Sequence, residues 1–163
     1  MQITSLFHVA IKTARPQASL WFYKDVLGMS EAERPPFEFP GFWMQLSTPY
    51  GGAVFHVYTG KAALGSDGAV PTGSGALDHI ALTACGFDVY KARFRDFGIP
   101  YRERSVPSME LWQLFAYDPN GIQLELNFHA SAEKASGGQV DPDNFPPAGL
   151  EWFNPAVFER FEE

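Results

Sequence analysis

Three histidines and one glutamate stand where they could share a chemistry. His8 in "LFHVAIKT" and His79 in "LDHIALTA" occupy the same place in two copies of one alternating apolar pattern, 71 residues apart. His56 in "AVFHVY" and Glu125 in "GIQLELNF" sit in later stretches with the same alternation. Two neutral imidazoles and a carboxylate on a rigid sheet form a donor set for a divalent first-row ion. Three such ligands with open positions left over suit Fe(II) or Mn(II). A fourth protein ligand would leave fewer open positions and favour Lewis-acid chemistry on Ni(II), Zn(II) or Co(II). Taken singly, an inward histidine is more often a hydrogen-bonded core residue, and a strand glutamate is more often solvated. Matching positions in a repeated module reverse that reading.

The repeat extends beyond the histidines. Trp43 and Trp112 are 69 apart, and the pairs Pro49/Pro119 and Gly51/Gly121 are each 70 apart. This near-constant offset predicts a duplicated module over residues 1–60 and 77–128. Residues 61–76, rich in Gly, Ser and Ala, read as a flexible linker. Each module begins with a strand, "SLFHVAIK" or "ALDHIALTA". A helix follows, "PQASLWFYKDVLGM" or "GFDVYKARFRDFGI", with a glycine where it stops. Three strands complete the module. "DPNG" supplies the last tight turn of the second module and "STPYGG" that of the first. The expected class is α+β, built from paired βαβββ modules.

Period-2 alternation fixes the faces. In "GIQLELNF" the set Ile122, Leu124, Leu126 and Phe128 must pack under the helix, which turns Gln123, Glu125 and Asn127 to the other side. By the same rule His8 lies opposite Phe7 and Val9, His56 opposite Phe55 and Val57, and His79 opposite Ile80.

Composition narrows the partners. The net charge of −7 and the absence of a Lys/Arg run argue against nucleic acid or an anionic membrane surface. No apolar stretch approaches membrane-spanning length and no basic leader is apparent, so a soluble, cytoplasmic protein is expected. A single cysteine, Cys85, excludes an intrachain disulfide and reads as a buried or inert thiol. Aromatic residues make up 15% of the chain, enough to wall a pocket for a flat apolar substrate. Trp43, Tyr58, Gln113 and Phe115 are expected to line it. Arg102, which shares a strand face with Arg104, could hold an anion there. The C-terminal residues 129–163 carry Phe145, Trp152, Phe153, Phe158 and Phe161, too aromatic for a disordered tail. They are expected to pack on the modules or on a partner subunit.

The runs "HVAIKTARPQASLWFYKDVLGM", "LDHIAL" and "FAYDPNGIQLELNF" resemble the vicinal oxygen chelate superfamily. That group includes glyoxalase I, extradiol dioxygenases, fosfomycin-resistance transferases, methylmalonyl-CoA epimerase and bleomycin-resistance proteins. The resemblance covers nearly all of residues 1–128 and implies a U-shaped, barrel-like mixed-sheet cup around a divalent metal, with helices outside. It places the ligand positions at His8, His56, His79 and Glu125, and implies bidentate chelation of a substrate through neighbouring oxygens. At the position of His56, glyoxalase-like members usually carry a carboxylate ligand, whereas dioxygenase-like members place an acid/base histidine in this part of the module. His56 is therefore either the acid/base or a fourth ligand. Phe115 stands where the dioxygenase signature has a tyrosine, and no histidine occurs around Met109–Trp112.

Three functions follow. The first is an extradiol-like dioxygenase using O2, with His8, His79 and Glu125 on Fe(II) or Mn(II) and His56 as base. The second is a glyoxalase-type isomerase or lyase with all four residues on the ion. The third is a protein that sequesters an aromatic ligand. A homodimer is the expected assembly.

Overall fold

The protein is described by a computed structural model covering residues 1–47, 52–145 and 152–162. It divides into two compact units, Met1–Thr72 with Phe161–Glu163, and Gly73–Arg160. The "STPYGG" turn of the first module lies largely outside the described residues.

The first unit contains strands β1 (Val9–Lys12), β2 (Ser30–Ala32), β3 (Gly41–Gln45) and β4 (Ala53–Tyr58). They form a four-stranded sheet in the order β1-β4-β3-β2, with β1 parallel to β4 and the other pairs antiparallel. Helix α1 (Pro16–Trp21) opens on a proline, which pre-sets φ for the first turn, and runs on into a π-helical turn over Phe22–Val26. Gly28, at φ 72°, ends it in the left-handed region. Phe22, Tyr23 and Val26 are fully buried, as are Ile11, Met44, Phe55 and Val57 of the sheet, and the Tyr23 and Phe55 rings lie 4.9 Å apart.

The second unit repeats the topology. Strands β5 (His79–Thr83), β6 (Tyr101–Val106), β7 (Leu111–Tyr117) and β8 (Gln123–His129) form a sheet in the order β5-β8-β7-β6. Helix α2 (Phe87–Asp96) lies on the face that carries Leu124, Leu126 and Phe128, and Phe87 and Tyr90 hold their rings 5.3 and 5.8 Å from Phe128. Glu133 of α3 (Ala130–Ala135) accepts hydrogen bonds from the Gly86 and Phe87 backbone N–H groups, each 2.9 Å, which caps the start of α2. In "DPNG" the buried Asp118 accepts from the N–H groups of Asn120 and Ile122, so its carboxylate replaces backbone partners inside the turn. Neither sheet closes on itself.

Three expectations need correction. The first strand does not begin at Ser5: pairing starts at Val9, and Phe7, expected on the core face, is 83% exposed. Alternation alone carries no information on where a neighbouring strand stops offering partners. Cys85 is exposed rather than buried. Trp43 and Trp112 are not equivalent positions. Trp43 pairs with His56, whereas Trp112 pairs with Phe128 and packs 5.1 Å from Phe87 on the helix side. The equivalent of Trp43 is Phe115, three residues beyond Trp112, and a slip by an odd number of residues exchanges the two faces of a strand.

Of the linker, Gly60–Ala63 form a 3-10 turn with Ala63 buried, and the Lys12 ammonium donates to the Leu64 carbonyl at 2.8 Å. The aromatic tail packs: Trp152 and Phe153 lie 4.8 and 5.5 Å from the Tyr117 ring. Among the described residues no helix is long and apolar enough to cross a membrane.

Candidate functional site

Register explains what the repeated strand positions. In each unit the histidine lies on or beside an edge strand, two residues before an alanine. Ala10 pairs with His56 on β4, and Ala81 pairs with Glu125 on β8. His8 and His56 are therefore one diagonal pair, and His79 and Glu125 are its repeat. On the far side of the inner strand, Trp43 pairs with His56 and Phe115 with Glu125. The same three-position pattern is thus written twice, with different chemistry.

In the second unit the pair is an imidazole and a carboxylate. His79 Nε2 lies 3.3 Å from Glu125 Oε2, and His79 Nδ1 lies 2.6 Å from Asp78 Oδ1. With the Nδ1 proton given to Asp78, Nε2 faces Glu125 either as the N–H of an imidazolium or as a lone pair that a cation must bridge. A divalent ion with bonds of about 2.1 Å holds adjacent donor atoms about 3.0–3.5 Å apart. In donor type and spacing this pair fits such an ion. Outer contacts fix it further. Asn127 Nδ2 donates to Glu125 Oε1 at 2.7 Å, and Gln113 Nε2 donates to Asn127 Oδ1 at 3.0 Å. Partners of this kind orient ligands and set their basicity.

In the first unit the pair is aromatic. His8 and His56 stack with centroids 3.8 Å apart, and His56 stacks on Trp43 at 3.9 Å with 8° between planes. His8 Nδ1 is buried without a hydrogen-bond partner, an available donor atom for a cation. Burial first, then the positive charges of His8 and Arg34, hold the His56 pKa below its ordinary value of 6.5. At neutral pH His56 is therefore a neutral imidazole able to accept a proton.

The structure thus pairs His8 with His56 and His79 with Glu125. Among the described residues no three His, Cys, Asp or Glu side chains gather into a single metal-holding group. The residues expected to line a substrate divide as well. Trp43 presents its ring to His56, while Tyr58 lies edge-on to Phe39 at 5.3 Å. Phe115 is 5% exposed and sits edge-on to His79 at 6.2 Å. Gln113 is occupied in bracing Asn127. Arg102 lies 4.9 Å below the Trp152 ring, and one Nη donates to the Tyr101 carbonyl at 3.0 Å and to Asn144 Oδ1 at 3.4 Å.

Asp78 and Asn127 carry roles that sequence reasoning did not assign. Both could have been found, since Asp78 is adjacent to His79 and Asn127 is the next same-face residue after Glu125. Asp78 also marks where the repeat diverges, because the residue before His8 is Phe7.

A family model for the glyoxalase/bleomycin resistance protein/dioxygenase superfamily matches residues 5–126. Among solved structures, the chain is similar to the lactoylglutathione lyase of Agrobacterium tumefaciens, at 19% identity and a TM-score of 0.56 over 78% of this chain and 95% of that one. It is similar to the fosfomycin resistance protein FosX of Listeria monocytogenes, at 16% identity and a TM-score of 0.58 over 78% and 94%. It also matches TnmS3, an antibiotic binding protein from Streptomyces sp. CB03234, at 19% identity and a TM-score of 0.55 over 79% and 98%. At these identities the likeness establishes the fold. No functionally curated protein matches the sequence.

Proposed function

The chain belongs to the glyoxalase/bleomycin resistance protein/dioxygenase superfamily, and from that premise we propose that it is a divalent-metal-dependent enzyme acting on a small aromatic substrate with two neighbouring oxygens. The reaction we assign is an extradiol-like dioxygenation. The observation that carries this reading is the 3.3 Å approach of His79 Nε2 to Glu125 Oε2, each braced from behind by a second polar group.

On this reading His79 and Glu125 would supply two donors to the ion and leave its remaining positions open. Fe(II) or Mn(II) bound there supplies Lewis acidity and redox capacity beside the substrate. The chain's own residues do the rest. Asp78 holds the proton on His79 Nδ1 and keeps Nε2 free to donate its lone pair. Gln113 and Asn127 fix the Glu125 carboxylate. Trp43 offers a flat face to an aromatic ring. His56, neutral at pH 7, takes a proton from a substrate hydroxyl at an imidazole nitrogen.

The test is metal content and oxygen uptake of protein purified without oxygen or chelator. The expected result is about one equivalent of iron or manganese per chain, with uptake elicited by a catechol or hydroxyaryl ketone and abolished in His79→Ala. Metal-loaded protein that consumes no oxygen with any such compound sinks the dioxygenase reading.

One observation favours a second reading. By register His56 is the equivalent of Glu125, which is a ligand position, so His56 as a fourth ligand would point to a glyoxalase-type isomerase or lyase. Anaerobic turnover of a hemithioacetal on nickel, zinc or cobalt supports that alternative, and strict oxygen dependence removes it.

A further inference from the structure

Between β2 and β3 stands a cation, Arg34, with no carboxylate partner among the described residues. The Arg34 guanidinium carbon lies 4.8 Å from the Phe37 ring centroid and 4.9 Å from that of Phe39. One Nη donates to the Phe39 carbonyl at 2.8 Å, while Nε is buried without a hydrogen-bond partner. Among the described residues Arg34 forms no ion pair with a carboxylate. This holds although 19 acidic residues outnumber 12 basic ones, and although Glu33 and Glu38 are near in sequence. A guanidinium packed against a stacked ring pair and tied to a backbone carbonyl loses little freedom on binding, and its fork matches a planar oxyanion.

The ring pair that holds Arg34 is continuous with the stacked histidines. Phe37 lies 6.0 Å from Trp43, Trp43 stacks on His56, and Phe39 meets Tyr58 at 5.3 Å. A flat ring placed against Trp43 would therefore stand near both a base and an unneutralised guanidinium.

We infer that Arg34 anchors an anionic group of the substrate, so that the site takes aromatic acids rather than neutral arenes. The inference rests on the proposed function only in taking the Trp43–His56 face as the substrate face, and it requires no bound metal. Arg102, the anion anchor expected from sequence, is instead occupied by Asn144, the Tyr101 carbonyl and the Trp152 ring.

The test uses full-length protein in chelator, titrated by calorimetry with 2-naphthoate and with its neutral counterpart 2-naphthylmethanol. A charge-assisted hydrogen bond to a held guanidinium corresponds to about a ten- to hundredfold preference for the acid. Wild type is expected to show that preference. Arg34→Gln is expected to abolish it while binding the alcohol within about twofold of wild type, which also reports that the variant is folded. Arg34→Lys, which keeps the charge but not the fork, is expected to fall between them, and it replaces the glutamine variant should that one fail to bind the alcohol. Arg102→Gln is expected to keep the full preference. No preference in wild type, retention of it in both Arg34 variants, or its loss in Arg102→Gln overturns the assignment. Metal loading measured separately keeps the two ideas apart. Acid preference without metal binding removes the enzyme reading and leaves Arg34 assigned, whereas metal without acid preference removes only the Arg34 assignment.

Discussion

Replacing Asn127 by Asp tests the contact on which the Glu125 geometry depends. The change is nearly isosteric, but it substitutes a carboxylate for the amide that donates to Glu125 Oε1 at 2.7 Å. Two unit charges at that separation repel by about 6 kcal/mol at an effective dielectric of about 20. The folded protein has a cheaper response. Protonating one carboxyl at pH 7, from a reference pKa near 4.3, costs about 3.7 kcal/mol at 1.36 kcal/mol per unit. The pair should therefore take up a proton and share it, and the penalty at pH 7 should be capped near 4 kcal/mol. Because the folded variant then binds more protons than the unfolded chain, its stability deficit shrinks as pH falls. The slope approaches about 1.4 kcal/mol per pH unit, and most of the deficit disappears near pH 4–5. The assay is urea unfolding of wild type and Asn127→Asp in chelator, at one-unit steps from pH 5 to pH 8. A deficit of that size is measurable against a typical total of about 5–15 kcal/mol. A difference between the two proteins that stays flat across this range would refute the contact, and with it the bracing of Glu125.

Two further outcomes follow from buried charge. Lys91→Met removes the ammonium 2.9 Å from Glu103, which is 2% exposed, and is expected to destabilise the second unit by about 3–5 kcal/mol in chemical denaturation. A loss under 1 kcal/mol would mean that the backbone N–H of Asp141, which also donates to Glu103, suffices alone. His56, held below its ordinary pKa by burial, His8 and Arg34, contributes stability that is present above about pH 6.5 and lost as pH falls through the folded-state value. Urea midpoints of wild type should therefore drop more between pH 7.5 and pH 5 than those of His56→Gln, and parallel curves would show that His56 is not perturbed.

Several features of the fold are legible along the chain because they are local. The alternation in "GIQLELNF" determines which side chains face α2, and Phe128 packs against Phe87 and Tyr90 as the pattern requires. Helix stops at Gly28 and Gly98 follow from the left-handed φ that glycine tolerates, and both residues adopt it. The start of β1 was not legible, because a strand begins where a partner begins. Trp43 and Trp112 look equivalent only because counting residues between landmarks ignores a three-residue slip, and an odd-numbered slip moves a side chain to the opposite face.

The candidate site divides along the same line. By itself the sequence determined the module, its duplication, and the placing of three histidines and a glutamate on the faces away from the helices. Period-2 geometry and turn chemistry act over a few residues and need no knowledge of the rest of the chain. Only tertiary structure decided the pairing of those groups. Strand register set His79 against Glu125 and His8 against His56, converting one repeated pattern into an imidazole–carboxylate pair and an aromatic stack. It also brought Asn127 and Gln113 behind Glu125, committed Arg102 to Trp152, and set Arg34 against the stacked Phe37 and Phe39 rings with no carboxylate partner among the described residues. Alignment across strands and the course of a loop depend on contacts between residues far apart in the chain, and local periodicity does not encode them.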